Sequence, residues 1–259
     1  MRSLLFAALL AVCCDAAVAG PRIAIIIDDI GYDRVAGERA IALPGPIAYA
    51  ILPDAPRAES LARAANAEGK EVMLHLPMQA ANHIGKTEPD YLTMDMSRAG
   101  FSDAFEQAFS AVPHAIGVNN HRGSLLTRHP GSMRWLMEEI SERDSLFFVD
   151  SYTTHHSVAI QIAGETGVTA VKRDVFLDAV PTPEAVEYHF ERLKRIASER
   201  GVAIGIGHPY DVTLTFLEQA LPELEREGFE LVPISSLTEL RTERSAPNLR
   251  VRRTTEQTD

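Results

Sequence analysis

The chain consists of short, almost wholly apolar runs that alternate with longer amphipathic stretches from residue 21 to about residue 240. Apolar side chains at every position are typical of a parallel strand buried on both faces. Strands that alternate with helices indicate an α/β fold with a parallel sheet. The predicted strands are 22–27, 47–52, 71–76, 115–119, 146–149, 168–171, 202–207 and 230–234, and the predicted helices are 34–42, 56–68, 99–111, 131–143, 157–166, 183–200 and 213–227.

Cap and breaker residues mark some helix ends. Thr182 and Pro183 suit the N-cap and the first position of one predicted helix, and Gly201 suits its end. Pro222 is expected to kink or split the last helix, because proline removes a helical N–H group.

The N-terminal segment is expected to be a cleaved export signal. Arg2 precedes an apolar run, Leu4–Val12, and the small residues 17–19 follow. This order is typical of a secretory signal peptide cleaved after residue 19, and the run is too short for a permanent membrane span. The alternative is lipidation at Cys13 or Cys14. We therefore expect an exported protein of the periplasm or cell envelope, with no stable membrane span in its mature form.

Composition limits the remaining chain. No shift in composition marks an internal boundary, so residues 20–241 are expected to form one domain, and the polar stretch 242–259 is expected to be disordered. Both cysteines lie in the signal segment, which leaves the mature chain without a disulfide or a thiolate ligand. The formal net charge of -11 argues against nucleic acid as a partner.

Polar side chains gather at the carboxyl ends of the predicted strands, where parallel α/β folds place their sites. Histidine and carboxylate ligands that converge from different strands suit zinc or a similar divalent metal. We expect the neighbouring side chains of Asp28 and Asp29 to diverge, so that one binds metal while the other accepts a proton. The polar residues at strand ends are Asp28, Asp29, His75, Asn119, Asn120, His121, Ser124, Asp150, Ser151, Asp174, Asp178 and His208.

Structural interpretations of the same residues remain open. The Asp28–Asp29 pair could cap the next helix, and the Asn119–Asn120 pair could hold a turn. A histidine at a strand end could be a hydrogen-bonded structural residue. The His155–His156 pair is expected to lie in a loop or at a helix start, because sequence neighbours point in different directions.

Six motifs occur in order over nearly the whole chain after the signal segment: IIIDDIGYD, EVMLHLPMQ, GVNNHRGS, FFVDSYTT, RDVFLD and AIGIGHP. As a set they resemble the divergent polysaccharide deacetylase family, a distant branch of the NodB-like carbohydrate esterases. The resemblance implies an α/β fold, a deformed (β/α) barrel of seven to eight parallel strands. It also implies a divalent metal, expected to be zinc, and a glycan as substrate or ligand.

The resemblance further implies roles for individual residues. Asp28 looks like the catalytic base and His208 like the late catalytic acid, whereas Asp29 and His75 look like metal ligands. Asn119, Asn120, Ser124, Asp150 and Asp174 are expected to bind substrate or support the site.

Two positions depart from the family pattern. Gln79 stands where the second histidine ligand of the wider group would fall, and we expect His121, from the next strand, to replace it. Arg122 stands where an apolar residue, usually Met, is expected.

The favoured function is metal-dependent hydrolysis of an N- or O-acyl group on an exported glycan. Asp28 would accept the proton of a metal-bound water, and His208 would protonate the leaving group. Asn120 or a backbone N–H would stabilise the oxyanion.

The alternative is a catalytically inactive barrel that acts as a glycan-binding or regulatory protein of the cell envelope. Glycoside hydrolysis is less favoured, since it needs two facing acids, for which Asp150 and Asp174 or Asp178 are the candidates.

Overall fold

The computed structural model describes residues 20–82 and 91–237. The predicted signal peptide 1–19, residues 238–241 of the predicted domain and the predicted tail 242–259 lie outside the described residues. Among the helices that are described, none combines the length and the apolar character needed to cross a membrane.

Strands and helices alternate along the chain as the apolar pattern predicts. The strands are β1 (Arg22–Ile30), β2 (Ala48–Ile51), β3 (Glu71–Met78), β4 (Ala115–Arg122), β5 (Phe147–Asp150), β6 (Ala170–Lys172), β7 (Val175–Phe176), β8 (Val202–Gly207) and β9 (Glu230–Leu231). The helices are α1 (Arg34–Ile41), α2 (Ala58–Ala67), α3 (Arg98–Ser110), α4 (Pro130–Ser141), α5 (Ala159–Thr166), α6 (Pro183–Arg200) and α7 (Asp211–Leu224), and a short 3₁₀ turn covers Leu126–Arg128.

The strands form one parallel sheet, which curls into a half-barrel. Eight strands follow the order β6-β5-β4-β3-β2-β1-β8-β7, and β9 pairs with β1 off this path. The predicted parallel α/β barrel of seven to eight strands is therefore confirmed. The short β7 lies inside the RDVFLD motif, where the apolar pattern predicts no strand, because two residues are too few to show a period.

The chain itself joins the two edges of the sheet between β6 and β7. The Arg173 amide donates to the carbonyl of Asp150 at the end of β5, at 3.0 Å. The next amide, that of Asp174, donates to the carbonyl of Ile204 in β8, at 2.9 Å. The two sheet edges are thus linked by consecutive residues, although no ladder joins β6 to β7.

Two apolar layers explain why β1 is apolar on both faces. Ile23, Ile25 and Ile27 are buried in the larger core cluster, which also contains buried residues of the helices. Ala24 and Ile26 belong to the second cluster, which fills the concave side of the sheet. Because side chains alternate along a strand, the residue after Ile27 faces the concave side again.

The predicted caps of α6 are confirmed. The Thr182 hydroxyl accepts a hydrogen bond from the Ala185 amide, and Gly201 ends the helix with a φ of 81°. The predicted split at Pro222 does not occur, because α7 runs unbroken to Leu224. Pro222 lies in the last turn, where the loss of one N–H donor interrupts little of the helix.

Candidate active site

Polar side chains from four strands meet at the carboxyl edge of the half-barrel. We call this group the central cluster, and its members are Asp28, Asp29, His75, Asn119, His121 and His208. β1, β3 and β4 extend two or three residues beyond the ends predicted from the apolar runs. The polar residues therefore lie on the strands or immediately after them, which fixes their backbones.

The two adjacent carboxylates converge instead of diverging. Asp28 Oδ2 lies 3.7 Å from His75 Nε2, and Asp29 Oδ1 lies 3.1 Å from the same nitrogen. Asp29 has a φ of 57°, and the pairing of β1 with β2 shifts register between Ile27 and Ile30. The left-handed conformation breaks the alternation of the strand, so the predicted divergence is wrong. Aspartate is one of the few residues with a side chain that tolerates this conformation.

A helix-capping role for the pair is also excluded. The N-cap of α1 is Asp33, and its carboxylate accepts hydrogen bonds from the amides of Val35 and Ala36 at 2.8 and 3.0 Å. Neither Asp28 nor Asp29 is left with a capping role at α1.

Three candidate ligand atoms form a tight triangle. Asp29 Oδ1 lies 3.0 Å from His121 Nδ1 and 3.1 Å from His75 Nε2, and the two ring nitrogens lie 3.1 Å apart. This trio is a possible divalent metal site. Ligands about 2.0–2.2 Å from one tetrahedral ion would lie roughly 3.3 Å from one another, so the spacing fits.

The chemical types of the three ligands also suit a divalent metal. Two imidazoles and one carboxylate are ligands that suit zinc and similar divalent ions. Asp29 Oδ1 is buried, and within residues 20–82 and 91–237 no donor meets it with normal hydrogen-bond geometry. A buried carboxylate oxygen that faces two ring nitrogens without such a bond is suited to a cation.

Strand register explains why His121 lies beside His75. His75 pairs with Asn119 across β3 and β4, and His121 follows two residues later on the same face. Gln79, which stands where the wider group was expected to have its second histidine, uses its side-chain oxygen to accept the Met94 amide at 2.8 Å. Gln79 therefore orders the loop after β3.

Asn119 links Asp28 to His75 through two hydrogen bonds. Its Nδ2 donates to Asp28 Oδ1 at 2.7 Å, and His75 Nδ1 donates to its Oδ1 at 2.8 Å. All three side chains are buried, with at most 2% exposure. The bond to Nδ1 fixes the tautomer of His75 and leaves the lone pair of Nε2 directed at the ligand triangle.

The environment separates the two carboxylates electrostatically. Burial raises the pKa of the Asp28 carboxyl above its ordinary value, although His75 and His208 oppose the effect. Burial would also raise the pKa of the Asp29 carboxyl, but the imidazoles of His121 and His75 hold it far below its usual range. Asp29 is therefore the more firmly charged of the pair, and Asp28 binds a proton more readily.

His208 is held by Asp178, which the sequence suggested only as a candidate acid for glycoside hydrolysis. Asp178, at 3% exposure, accepts from His208 Nδ1 at 2.8 Å, from the His208 amide and from the Thr213 hydroxyl. Burial lowers the pKa of His208, but Asp178 outweighs it and raises the pKa to about 9. His208 Nε2 lies 3.9 Å from Asp29 Oδ2, so the protonated ring faces the central cluster.

Asp174 stands apart from the central cluster, contrary to the sequence-based expectation. Its Oδ2 accepts the Ile204 amide at 2.9 Å, and its Oδ1 lies 3.3 Å from Arg200 Nη1. Ile204 precedes His208 by four residues, or roughly 13 Å of strand. The second aspartate of RDVFLD, Asp178, occupies the site instead. The two-residue β7 between them could have been inferred only from the fold.

Two other predicted support residues bind backbone rather than the central cluster. Asn120 accepts the Ser151 amide and donates to the Arg122 carbonyl, both at 2.9 Å, which commits its amide to a turn and not to an oxyanion. The Ser124 hydroxyl accepts the Ala81 amide at 3.0 Å.

Asp150 is buried and holds the turn after β5. It accepts the Tyr152 amide at 2.8 Å and the Ser157 hydroxyl at 2.7 Å. Asp174 accepts the Ile204 amide of β8, and Asp178 accepts from the His208 ring. The three candidate acids for glycoside hydrolysis thus each hold a different part of the structure.

Comparisons with known proteins show which family and which solved structures the chain resembles. A family model described as divergent polysaccharide deacetylase matches residues 25–238. The uncharacterized protein YibQ of Escherichia coli (strain K12) is 37% identical over 234 residues, which cover 90% of this chain and 72% of that protein.

Two solved structures share the fold at low sequence identity. The uncharacterized protein ATU2773 from Agrobacterium tumefaciens C58 has a TM-score of 0.81 at 22% identity, covering 86% of this chain and 91% of that one. A mutant of BA3943 from Bacillus anthracis, a CE4 family pseudoenzyme with restored enzymatic activity, has a TM-score of 0.51 at 13% identity, covering 85% and 68%.

Proposed function

The chain belongs to the divergent polysaccharide deacetylase family, and from this premise we propose that it is a metal-dependent hydrolase that removes N- or O-acyl groups from a glycan of the cell envelope. One observation carries the proposal. Three ligand atoms, on Asp29, His75 and His121, converge within 3.1 Å of one another beside a second, more basic carboxylate.

Asp29, His75 and His121 would hold the divalent ion, with zinc as the expected metal. When bound, the ion would polarise the acyl carbonyl and lower the pKa of a water molecule. The chain's contribution is a set of ligands held by strand ends and by the Asn119 bond to His75. Ligands fixed in this way lose little freedom when they bind metal.

Asp28 is the proposed general base. Asn119 occupies Asp28 Oδ1, and Asp28 Oδ2 faces the ligand triangle at 3.7 Å from His75 Nε2. Because burial raises its pKa, this carboxylate is better matched than an ordinary aspartate to take a proton from water near neutral pH.

His208 is the proposed general acid. Its hydrogen bond to Asp178 orients the ring and keeps it protonated at neutral pH, since its pKa is raised to about 9. His208 Nε2 lies 3.9 Å from Asp29 Oδ2, and its proton would be donated to the leaving nitrogen or oxygen of the sugar.

A second candidate function is an inactive barrel that binds glycan or regulates an envelope enzyme. Two observations favour it: Gln79 stands where the wider group has a histidine ligand and its side-chain oxygen accepts the Met94 amide, and BA3943 is a CE4 family pseudoenzyme with the same fold. An intact base, acid and ligand triangle in this chain favour the enzyme.

Metal content and acyl release, measured together, test the proposal. We expect the purified protein to bind one divalent ion per chain and to release acetate from an acetylated envelope glycan. His75→Ala and His121→Ala should each lose the ion, whereas Asp144→Asn, a control at an exposed position in the loop before β5, should keep it. Release of acetate by the metal-free histidine variants at the parent rate would refute the proposal.

A further inference from the structure

A crevice of about 280 Å³ adjoins the central cluster between the loops that follow β1 and β8. Asp29 and His208 line it together with Tyr32 on the loop after β1 and Tyr210 on the loop after β8. We call it the tyrosine crevice. Its volume falls just below the roughly 300–1,000 Å³ of pockets that enclose a drug-sized ligand, so it has room for about one ring.

The two tyrosines are exposed but held in place. Tyr32 and Tyr210 are 46% and 45% exposed, whereas Tyr49 and Phe101 are fully buried. The Tyr32 hydroxyl donates to Asp54 Oδ2 at 2.9 Å. The Tyr210 ring packs at a tilt on the His208 ring, with centroids 5.5 Å apart. Aromatic rings that are fixed before binding lose little entropy when a ligand packs on them.

The crevice lies on the acid side of the site. His208 lines it, whereas Asp28 is buried and is not among the residues that line it. In the proposed reaction His208 protonates the leaving nitrogen or oxygen, and that atom belongs to the sugar. The group next to His208 during the reaction is therefore the sugar ring and not the acyl chain.

The chemistry of the walls suits such a ring. A pyranose presents a face of C–H groups and a rim of hydroxyls. The face can pack on an aromatic ring, whose negative π surface attracts the C–H edge, while the rim can reach the phenol groups that line the crevice. The carboxylates of Asp29 and Asp54 disfavour an anionic sugar, in agreement with the net charge of -11.

From these contacts we propose that the tyrosine crevice binds the uncharged sugar ring that carries the scissile acyl group, with Tyr32 and Tyr210 as its stacking walls. The inference rests on the proposed function for the identity of the leaving group. The role of Tyr32 and Tyr210 can be tested by measuring sugar binding, which needs no turnover.

Calorimetric titration with a hexamer of N-acetylglucosamine tests the proposal on the metal-loaded Asp28→Asn protein. We expect Tyr210→Ala and Tyr32→Ala each to raise the Kd about fivefold or more, as truncation of a tyrosine at a binding hot spot does. Tyr210→Phe, which keeps the ring, should have a Kd within about twofold of the parent value. The matched control is Tyr188→Ala, because Tyr188 is 63% exposed on α6 and lies outside the crevice lining.

A second measurement separates this inference from the proposed function. Turnover of the hexamer is compared with turnover of triacetin, an acetate ester without a sugar ring. We expect the ratio of hexamer to triacetin turnover to fall at least fivefold in the tyrosine variants and to stay constant in Tyr188→Ala. Parent protein that hydrolyses neither substrate but binds the hexamer through the tyrosines would refute the proposed function alone. No binding of the hexamer, or equal binding by the alanine variants, would refute the tyrosine crevice.

Discussion

Asp29 is the residue at which the site departs from regular strand geometry. Its φ of 57° turns its carboxylate to the same nitrogen that Asp28 faces. Two like charges at one point are costly unless cations neutralise them or one takes up a proton. Here the histidines stabilise charge on Asp29, and burial favours the protonated form of Asp28. The Asp-Asp pair thus gains two distinct chemical properties from one backbone turn.

The Asn119 bridge predicts different results for two substitutions. Asn119→Ala removes the acceptor for His75 Nδ1 and should weaken zinc binding about 10–100-fold, the usual cost of losing a partner that orients a ligand. Asn119→Asp keeps that acceptor but sets another carboxylate against Asp28. We expect it to bind zinc and to shift the rise of turnover to higher pH.

Zinc titration and a pH–rate profile of both variants check this prediction. Asn66→Ala, an exposed asparagine on α2, is the control. Equal zinc affinity in Asn119→Ala and the parent would show that the bridge does not orient His75.

His208 should make the stability of the metal-free protein depend on pH. Its pKa is raised to about 9 in the folded state from an ordinary value near 6.5. Its contribution to the free energy of unfolding is therefore complete below about pH 6.5 and is lost as pH rises through about 9. The shift in the pKa of His208 corresponds to at most about 3 kcal/mol in the free energy of unfolding.

Urea unfolding at about pH 6 and pH 9.5 measures that difference. We expect His208→Gln to destabilise the protein at the lower pH and much less at the higher pH, while His156→Gln, at an exposed position, changes neither. A stability loss of the same size at both pH values would contradict the raised pKa.

At the scale of the elements, pairing between strands decides which polar residues meet. The sequence placed His75, His121 and His208 at strand ends, and the parallel sheet brings them together. The sequence could not predict the left-handed turn at Asp29, because nothing in the local pattern distinguishes a regular strand end from a left-handed residue. The register that aligns His75 with Asn119 also depends on contacts between strands distant in sequence.

The short β7 explains the exchange of Asp174 for Asp178. The two aspartates of RDVFLD flank the same short apolar run, so sequence alone cannot rank them. In the structure Val175 and Phe176 pair with β8, which carries Asp178 to the strand end beside His208 and leaves Asp174 beside Ile204.

The two aspartates should therefore respond differently to the same substitution. Asp178→Asn weakens the bond to His208, lowers the pKa of the ring, and should move the alkaline loss of turnover to lower pH. Asp174→Asn should cost stability, about 1–3 kcal/mol for a partly unsatisfied group, and leave the pH profile in place. Urea unfolding and pH–rate profiles distinguish the two. A shifted profile in Asp174→Asn would contradict the assignment.

At the scale of the whole molecule, the fold was largely predictable. Doubly buried parallel strands are apolar throughout, and this pattern marked eight of the nine strands in the part of the chain that the structure describes. The closure of the half-barrel by two consecutive residues between β6 and β7 was not predictable, because it depends on the curvature of the complete sheet.

Export is a further prediction for the whole molecule. Because Arg2, the apolar run and the small residues 17–19 resemble a signal peptide, we expect the mature chain to begin at Gly20. Intact mass spectrometry of protein from the cell envelope checks this. Retention of residues 1–19, or a lipid on Cys13 or Cys14, would contradict the prediction.

The central claim is that Asp28 and Asp29 perform different tasks in one hydrolytic site. The most direct test measures zinc content and acetate release for the parent, Asp28→Asn and Asp29→Asn under identical conditions. We predict that Asp28→Asn keeps one zinc ion per chain and loses about 10²–10⁴-fold in rate, the usual worth of a general base, whereas Asp29→Asn loses zinc itself. A zinc-loaded parent that releases no acyl group from any envelope glycan, or an Asp28→Asn protein as fast as the parent, would contradict the account.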